Sequence, residues 1–338
     1  MYPVLFSLKF PEFLGSISWI EIALTIVVIG GLFLWRRRSP FFSLSGFMVG
    51  VAVYLGLRAL VWHAGAGYQF QLHTYGLLIA TGFVLGITLA VREARREFLD
   101  PNLILDLSFW ILIAAMVGSR LLYIIVNIND YMADPLSLLK FWTGGLVFYG
   151  GFIAAVAVSW YFCRRKGVSF LRIADVMIPS VALGHFFGRL GCYSAGCCHG
   201  SATGSSCFGA IYTVPGTVVA HSHLLGVPIH PTPLYEALGE LSIFGILLWL
   251  RKRKRTNGQL LAYWLLMYPV WRFMTELFRG DLERGILVPI NLFGDSRPNM
   301  LSTSQVVSVG LLGLGIYLWL KLRKVAAREN NRPNPEGK

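Results

Sequence analysis

Long uninterrupted apolar runs constrain the fold of this chain more than any other feature. A helix that crosses the hydrocarbon core of a bilayer needs about 20 predominantly apolar residues. Nine runs come close to that length: 18–35, 44–62, 74–92, 104–127, 144–163, 174–194, 234–250, 258–279 and 304–322. The sequence therefore predicts an all-α polytopic integral membrane protein with about nine transmembrane helices.

Composition supports this fold class and excludes one alternative. Hydrophobic residues make up 55% of the 338 residues and charged residues only 14%, whereas soluble domains carry about 25% charged residues. A net charge of +13 could suggest a nucleic-acid partner, but Lys and Arg occur in short clusters between apolar runs. We therefore expect the membrane bilayer, and no nucleic acid, as a partner.

The basic clusters also predict the orientation, because cytoplasmic loops hold an excess of Lys and Arg. In a nine-helix arrangement all the clusters fall on one side: 36–38, 92–97, 164–166, 251–255 and 321–324. The N-terminus is then outside and the C-terminus in the cytoplasm. The loops on the exported face are 63–73, 128–143, 195–233 and 280–303.

One membrane domain accounts for most of the chain. No repeat or low-complexity linker separates the apolar runs, so we expect a single transmembrane domain over residues 1–326, with an exported loop region at 195–233. The remainder, 327–338, is polar and typical of a cytoplasmic tail. The N-terminus lacks a basic region followed by an apolar core and a cleavage site, so no cleavable signal peptide is expected.

Charged side chains inside the apolar runs are the candidate functional residues. A centrally placed arginine costs about 2.5–3.5 kcal/mol on insertion scales, so such residues usually face a cavity or a partner. Arg120, Arg189 and Arg272 are of this kind, and the predicted topology puts all three toward the outer half of the membrane. This asymmetry favours a site for a substrate at the exported face.

The segment that contains Arg272 also has polar residues at a helical spacing. Tyr268, Arg272, Glu276 and Arg279 are spaced 4, 4 and 3 residues apart, which puts them on one face of a helix. An internal salt-bridge ladder would explain this spacing. However, the arginine-bearing segments hold more positive charge than Glu276 can pair, and the planar guanidinium group suits phosphate. We therefore predict an anion site for the phosphate of a phospholipid.

Eight motifs, in order along the chain, resemble the prolipoprotein diacylglyceryl transferase family. They are "MYPVLFSL" (1–8), "LHTYGLLIATGFVLG" (72–86), "GSRLLYIIVN" (118–127), "DPLSLLKFWTGGLVFYGG" (134–151), "GRLGCYSAGCCHG" (188–200), "HPTPLYEA" (230–237), "YPVWRFMTELFRGD" (268–281) and "LSTSQ" (301–305). The resemblance implies a bacterial inner-membrane enzyme that works without a cofactor. Such an enzyme transfers the diacylglyceryl group of phosphatidylglycerol to the lipobox cysteine of an exported prolipoprotein and releases glycerol phosphate, the first step of lipoprotein maturation.

The resemblance also implies roles for individual residues. Arg189, in the family's Gly-Arg-x-Gly motif, would bind the phosphate of phosphatidylglycerol, and Arg272 would be the second essential arginine. The other residues implied to line or support the lipid cavity are Tyr75, Arg120, Tyr235, Glu236, Tyr268, Glu276 and Arg279.

The chain departs from the family pattern in three places. Tyr149 stands where the best-known members have histidine, and Cys192 and Cys197 stand where they have Asn and Glu. Residues of about 9–70 separate stretches that are nearly adjacent in typical members. This insertion contains two of the nine apolar runs, so the other seven predicted helices are family-like. Because two helices are added, the orientation of the helices that follow is unchanged.

The general base and the class of function have open alternatives. Tyr149 is a poor base at neutral pH but could donate a hydrogen bond, whereas Glu276, His199 and His185 are better candidates for the base. The same arginines could serve a transporter or flippase for an anionic lipid, or a non-catalytic lipid-binding paralogue. A transporter needs polar residues along the whole membrane path, and the outward clustering of charge argues against one.

The cysteines of "GCYSAGCCHG" permit three interpretations. Free thiols that pack as small apolar residues are the first. A disulfide from Cys197 or Cys198 to Cys207 is the second, because the exported face is oxidising. A zinc site that also uses Cys192 and His199 is the third, but the order C-x4-C-C-H lacks the usual spacing of zinc ligands. We therefore expect no metal.

Overall fold

The structure is a computed structural model that describes residues 4–9, 69–128, 145, 147–204, 209–214, 217–221, 224–280, 286–290 and 300–330. Most of these residues are helical. The helices are α1 (Thr74–Arg96), α2 (Pro101–Val126), α3 (Phe148–Lys166), α4 (Phe170–Ala195), α5 (Val218–His221), α6 (Thr232–Leu250), α7 (Gln259–Glu276) and α8 (Thr303–Asn330). Three two-stranded sheets pair β1 (Val4–Lys9) with β2 (Gln69–His73), β3 (Ala210–Ile211) with β4 (Pro228–Ile229), and β5 (Ile286–Ile290) with β6 (Met300–Ser302).

Five of the described helices are long and apolar enough to cross a membrane, namely α1, α2, α4, α6 with the 3-10 turn after it, and α8. They correspond to five of the predicted runs. Helices α3 and α7 overlap the predicted runs 144–163 and 258–279 but do not meet the same requirement of length and composition. The first two predicted runs, 18–35 and 44–62, lie outside the described residues. The structure supports an all-α membrane protein, and the number nine stays a prediction.

The described helices form two compact units. One contains α2 and α3 with the end of α1 and the start of α4, and the other contains most of α1 and α4 together with α6, α7 and α8. The single domain expected over residues 1–326 stays a prediction. Helix α8 continues to Asn330, so the helix extends into the predicted polar tail.

Small residues bring α2 and α3 close together within their unit. A Cβ atom on Gly118 would lie 2.4 Å from the Cβ of Ala154 and 2.6 Å from the carbonyl oxygen of Gly150. Such close backbone approach is typical of helix pairs in membranes, where packing replaces the hydrophobic effect as the force between helices. A larger side chain at Gly118 would push the two helices apart.

A buried carboxylate fixes α4 against α7 in the other unit. Asp175 on α4 accepts hydrogen bonds from the amides of Gly258 (2.8 Å) and Leu261 (3.0 Å) at the start of α7. The ammonium group of Lys254 lies 3.7 Å from the same carboxylate. Because the first amides of a helix have no partner within it, Asp175 acts as a cap supplied by a neighbouring helix.

A glycine allows α6 and α7 to approach each other. The indole nitrogen of Trp271 donates a hydrogen bond of 3.1 Å to the carbonyl oxygen of Tyr235. A Cβ atom on Gly239 would lie only 1.9 Å from that nitrogen, so only glycine fits here. This packing brings Glu236 on α6 opposite Arg272 on α7.

Helix α8 begins with a capping box inside the motif "LSTSQ". The amide of Ser302 donates to the side-chain oxygen of Gln305 (3.0 Å), and the amide of Gln305 donates to the hydroxyl of Ser302 (3.3 Å). The reciprocal bonds fix the first turn of α8. Ser304 in this turn accepts a hydrogen bond of 3.1 Å from Arg272, so the capping box positions a contact to α7.

A left-handed turn ends α4 and sends the chain back over the helix end. Gly196 has a φ of +72°, a conformation that glycine adopts without strain. Its amide donates to the carbonyl oxygen of Tyr193 (3.3 Å), and the amide of Cys197 donates to that of Cys192 (3.1 Å). These two bonds form a Schellman motif, which determines where the following cysteines lie.

Candidate active site

A line of alternating charges connects α4, α6 and α7. The Nη2 atom of Arg189 on α4 lies 2.7 Å from Oε2 of Glu236 on α6. The other oxygen of Glu236 accepts a hydrogen bond of 3.0 Å from Nη1 of Arg272 on α7. One buried carboxylate therefore holds both of the arginines that the sequence analysis selects as principal site residues.

The line continues along α7. Nη2 of Arg272 lies 2.7 Å from Oε2 of Glu276, and Nη1 of Arg279 lies 3.9 Å from the same oxygen. Within the predicted stripe, Arg272 and Arg279 therefore both lie close to Glu276. Helix α7 ends at Glu276, so Arg279 lies just beyond the helix end. Ser304 is a further partner of Arg272 that was not predicted, although the capping sequence around it marks the start of a helix.

His185 orients Arg189 from one turn earlier on α4. Its Nδ1 lies 2.7 Å from Oε1 of Glu240, and its Nε2 accepts a hydrogen bond of 3.1 Å from Nε of Arg189. These contacts assign the neutral tautomer with the proton on Nδ1. Both ring nitrogens are engaged, which favours an orienting role for His185 over that of general base.

The charge balance of this network differs from the expectation. Local spacing along α7 predicts Glu276 as the counterion, whereas the structure adds the carboxylates of Glu236 and Glu240 from α6. Helix packing therefore supplies counterions that local spacing does not reveal, and the anion site stays a prediction. Among the described residues, the contacts of Arg189 use Nε and Nη2, which leaves Nη1 for a ligand.

Two of the predicted tyrosines border this network. The ring of Tyr268 lies 5.5 Å from that of His185 and stacks on Trp264 with a centroid distance of 4.7 Å. Tyr75 is exposed and packs on α4, where a Cβ atom on Gly191 would lie 2.9 Å from its ring. Both positions are compatible with a cavity wall, and the roles in lipid binding stay predictions.

Tyr235 lies in an aromatic cluster at the start of α6. Its hydroxyl lies 3.3 Å from Nδ1 of His230, and both rings pack against Phe278. Burial lowers the pKa of His230, which favours its neutral form. The cluster joins the loop before α6 to the end of α7.

Arg120 and Tyr149 lie in the unit that contains α2 and α3. Nη1 of Arg120 donates a hydrogen bond of 3.3 Å to the carbonyl oxygen of Gly145, and its guanidinium carbon lies 5.6 Å from the centroid of the Tyr123 ring. Tyr149 is near the start of α3 and packs edge-on against Phe148. Their predicted roles at the site stay predictions.

His199 is buried in the turn that follows α4. Its Nδ1 lies 3.0 Å from the carbonyl oxygen of Gly200. Two backbone hydrogen bonds hold the chain at this point. The amide of Gly200 donates to the carbonyl oxygen of His230 (2.9 Å), and the amide of Gly280 donates to the carbonyl oxygen of His199 (3.2 Å). The turn is therefore held between the loop before α6 and the segment after α7.

Three thiols converge at the end of α4. The Sγ atoms of Cys192, Cys197 and Cys198 all lie within 4.8 Å of one another, and all three cysteines are free and partly exposed. The turn at Gly196 folds the chain back to produce this cluster. Cys198 itself has a φ of 57°, which is uncommon for a residue other than glycine. Cys207, the predicted disulfide partner, lies outside the described residues.

The thiols of this cluster are electrostatically unequal. Hydrogen bonds with Cys192 and Cys197 lower the pKa of the Cys198 thiol, and the positive charges of Arg279 and Arg189 act in the same direction. Hydrogen bonds with Cys192 and Cys198 raise the pKa of the Cys197 thiol. The arrangement favours negative charge on Cys198, beside the arginine network.

Comparison with known proteins agrees with this arrangement of motifs. The family model described as prolipoprotein diacylglyceryl transferase matches residues 64–321 of the chain. The match begins after most of the predicted insertion of about 9–70.

Curated relatives carry the same name. The phosphatidylglycerol–prolipoprotein diacylglyceryl transferase of Finegoldia magna is 32% identical over 259 residues, which cover 76% of this chain and 94% of that protein. The enzyme of the same name from Geobacillus kaustophilus is 34% identical over 252 residues, which cover 75% of this chain and 88% of that protein. A third enzyme of that name, from Clostridium tetani, is 29% identical over 252 residues, which cover 75% of this chain and 94% of that protein. The chain belongs to the prolipoprotein diacylglyceryl transferase family.

Proposed function

We propose that this protein transfers the diacylglyceryl group of phosphatidylglycerol to the lipobox cysteine of an exported prolipoprotein. The names of the relatives from Finegoldia magna and Geobacillus kaustophilus state that activity for those proteins. The structural observation that carries the proposal is the buried carboxylate of Glu236, which holds Arg189 and Arg272 side by side. Two guanidinium groups set in this way form a site for a phosphate between membrane helices.

The contacts of Arg189 support its role as a phosphate ligand. Its Nη2 atom is close to Glu236, but the contact is not aligned as a hydrogen bond. A guanidinium group carries five N–H donors in one plane. Arg189 can therefore keep its hydrogen bond to His185 while it offers the donors on Nη1 and Nη2 to two phosphate oxygens.

The reaction forms one bond and breaks one. The sulfur of the client cysteine attacks the glyceryl carbon that bears the phosphodiester, and a C–S bond forms. The C–O bond to the phosphate breaks, its electron pair stays with the phosphate oxygen, and glycerol phosphate leaves. Arg189 and Arg272 stabilise the negative charge that develops on the leaving phosphate. Glu276 and His199 are the candidates to move the thiol proton.

The proposed topology is the nine-helix arrangement, with the N-terminus outside, the C-terminus in the cytoplasm and the site toward the exported face of the bacterial inner membrane. In this proposed arrangement, the predicted insertion of about 9–70 supplies two of the nine helices. The two ends of α4 support this orientation. Asp175 contacts Lys254 of the basic cluster 251–255, whereas Arg189 lies about 21 Å farther along the helix at a rise of about 1.5 Å per residue.

A transfer assay with the purified full chain tests the proposed function. The substrates are phosphatidylglycerol in detergent micelles and a lipobox peptide with a single cysteine, and a peptide with serine in that position is the control. We expect equal amounts of glycerol phosphate and of lipidated peptide, with neither product from the control. Movement of labelled lipid between the leaflets of proteoliposomes, without either product, would favour the flippase alternative and contradict the proposal.

A further inference from the structure

We propose that Cys192, Cys197 and Cys198 bind a zinc ion whose fourth coordination position takes the sulfur of the client cysteine. The inference rests on the proposed transferase function, because it assigns the group that activates the nucleophile of that reaction. The site lies at the end of α4, next to the arginine network.

The three sulfur positions fit a thiolate site. They lie within 4.8 Å of one another. In a tetrahedral zinc site with Zn–S distances of about 2.3 Å, neighbouring sulfurs are about 3.8 Å apart. Small rotations about χ1 of three short side chains cover the difference. The backbone therefore already holds the cysteines in the arrangement that the ion needs.

The fold holds Cys198 in a backbone conformation that residues other than glycine rarely adopt. Cys198 adopts a positive φ without being glycine, and such conformations persist where the surroundings impose them, often at functional sites. Here the hydroxyl of Thr232, the first residue of α6, donates a hydrogen bond of 2.7 Å to the carbonyl oxygen of Cys198. A packing role alone would not require a cysteine in this conformation.

The surrounding charges suit an anionic metal centre. Three thiolates and one Zn²⁺ carry a net negative charge, and a fourth thiolate increases it. The guanidinium groups of Arg279 and Arg189 act electrostatically on Cys198, and Arg189 precedes Cys192 by one turn on the same face of α4. Arg189 would therefore lie between the metal centre and the phosphate, which brings the thiol and the lipid together.

The cluster also leaves room for a substrate. Within the described part of the chain, the cluster contains three ligand atoms, and zinc sites with three protein ligands and one exchangeable position are typically catalytic. The three cysteines are partly exposed, so that a peptide thiol can approach. A thiol that coordinates the ion loses its proton, and the thiolate is the reactive nucleophile.

The step is balanced in protons and electrons. Coordination of the client thiol releases one proton to water, and the sulfur keeps its electron pair. That pair forms the C–S bond to the glyceryl carbon, while the electron pair of the C–O bond leaves with glycerol phosphate. The thioether is a weaker ligand than the thiolate and dissociates. Zinc undergoes no redox change.

Metal analysis of the purified full chain tests the site independently of activity. We expect one zinc ion per chain in the wild type and in the control Cys163→Ser, which changes a buried thiol on α3. The variants Cys192→Ser, Cys197→Ser and Cys198→Ser should lose most of the zinc. Absence of zinc from the wild type, with no uptake of added Zn²⁺ or Co²⁺, would overturn the proposal. Loss of zinc from Cys207→Ser would indicate a closed four-thiolate site and overturn the open position.

Cobalt substitution tests the fourth position without any variant. The wild type loaded with Co²⁺ should show the visible absorption of a tetrahedral thiolate site. Addition of the single-cysteine lipobox peptide, in the absence of phosphatidylglycerol, should shift these bands, and the serine peptide should not. A spectrum unchanged by the cysteine peptide would overturn the proposal that the client sulfur binds the metal.

The transfer assay separates failure of this inference from failure of the proposed function. We expect the chelator-stripped wild type to lose at least tenfold in transfer rate and to recover it when Zn²⁺ is restored. Transfer at the full rate without bound metal would overturn the metal site's role and leave the proposed function standing. Zinc binding together with no transfer under any condition would overturn the proposed function, and with it the activation of a client thiol.

Discussion

The Oε2 atom of Glu236 lies 2.7 Å from Nη2 of Arg189, and the other oxygen of the same carboxylate binds Arg272. Glu236 is 2% exposed, so neither arginine can exchange this partner for water without opening the packing of α4, α6 and α7. A buried charge that loses its partner is strongly destabilising. Glu236 therefore affects both the stability of the helix packing and the positions of the two guanidinium groups.

Arg189→Lys should lose most of the transfer activity although the positive charge is kept. Lysine supplies one point charge, whereas the guanidinium group can hold His185, Glu236 and two phosphate oxygens at once. The expected loss is about a hundredfold in rate, or ~3 kcal/mol of transition-state stabilisation. The measurement is the initial rate per correctly inserted molecule. A near-wild-type rate would contradict the role of Arg189 as a phosphate ligand.

Glu236→Gln should lower both stability and activity, because it keeps the side-chain shape but leaves the partly buried Arg189 and the buried Arg272 without their shared counterion. Breaking a buried ion pair costs about 3–5 kcal/mol. The transfer rate should fall as well, since Arg189 and Arg272 lose their common anchor. In a double-mutant cycle with Arg189→Lys, the two losses should be less than additive. Additive losses would mean that the two residues are not coupled.

Gly239→Ala should separate α6 from α7. The added methyl group would lie 1.9 Å from the indole nitrogen of Trp271, and overpacking of this kind costs about 1–3 kcal/mol. Gly245→Ala on the same helix is the matched control, because nothing lies within 4 Å of its new methyl group. The midpoint of thermal unfolding in detergent should fall for Gly239→Ala only. Equal midpoints would argue against the close contact of α6 and α7.

Accessibility to a membrane-impermeant maleimide should confirm the orientation. In a background with the native cysteines replaced, Gly204→Cys in the exported turn should be labelled from outside intact cells. Lys252→Cys in the basic cluster 251–255 should react only after the membrane is permeabilised. Both positions are exposed on the protein surface, so burial does not explain a difference. Labelling of Lys252→Cys in intact cells would reverse the proposed topology.

Deletion of residues 10–66 should leave measurable transferase activity. The strands that flank this segment, β1 and β2, pair with each other, so the two stretches that the deletion joins are held in one sheet. The measurement is the transfer rate per inserted molecule. Loss of activity with normal accumulation in the membrane would mean that the inserted segment contributes to the site.

The sequence by itself determined the properties that depend on local order along the chain. Long apolar runs predict membrane helices because the length of a run is compared directly with the thickness of a bilayer. The contacts of Arg272 and Arg279 with Glu276 agree with the predicted spacing, because helical periodicity relates residues three and four apart. The motif order that resembles the transferase family is likewise a property of the chain alone.

Only the tertiary structure decided which groups face the arginines. Glu236 is 36 residues from Arg272, and Glu240 is 55 residues from His185, so both contacts depend on how α6 packs and not on any repeat in the sequence. The glycine at position 239 permits that packing, but its importance appears only when Trp271 is seen beside it.

The cysteine cluster likewise depends on the tertiary structure and not on the sequence alone. The order C-x4-C-C-H lacks the usual spacing of zinc ligands, so the sequence alone predicted no metal site. The left-handed turn at Gly196 and the positive φ of Cys198 fold the chain back on α4 and bring the three sulfurs together. Backbone dihedral angles and contacts between distant segments decide such a cluster, and neither can be read from residue spacing.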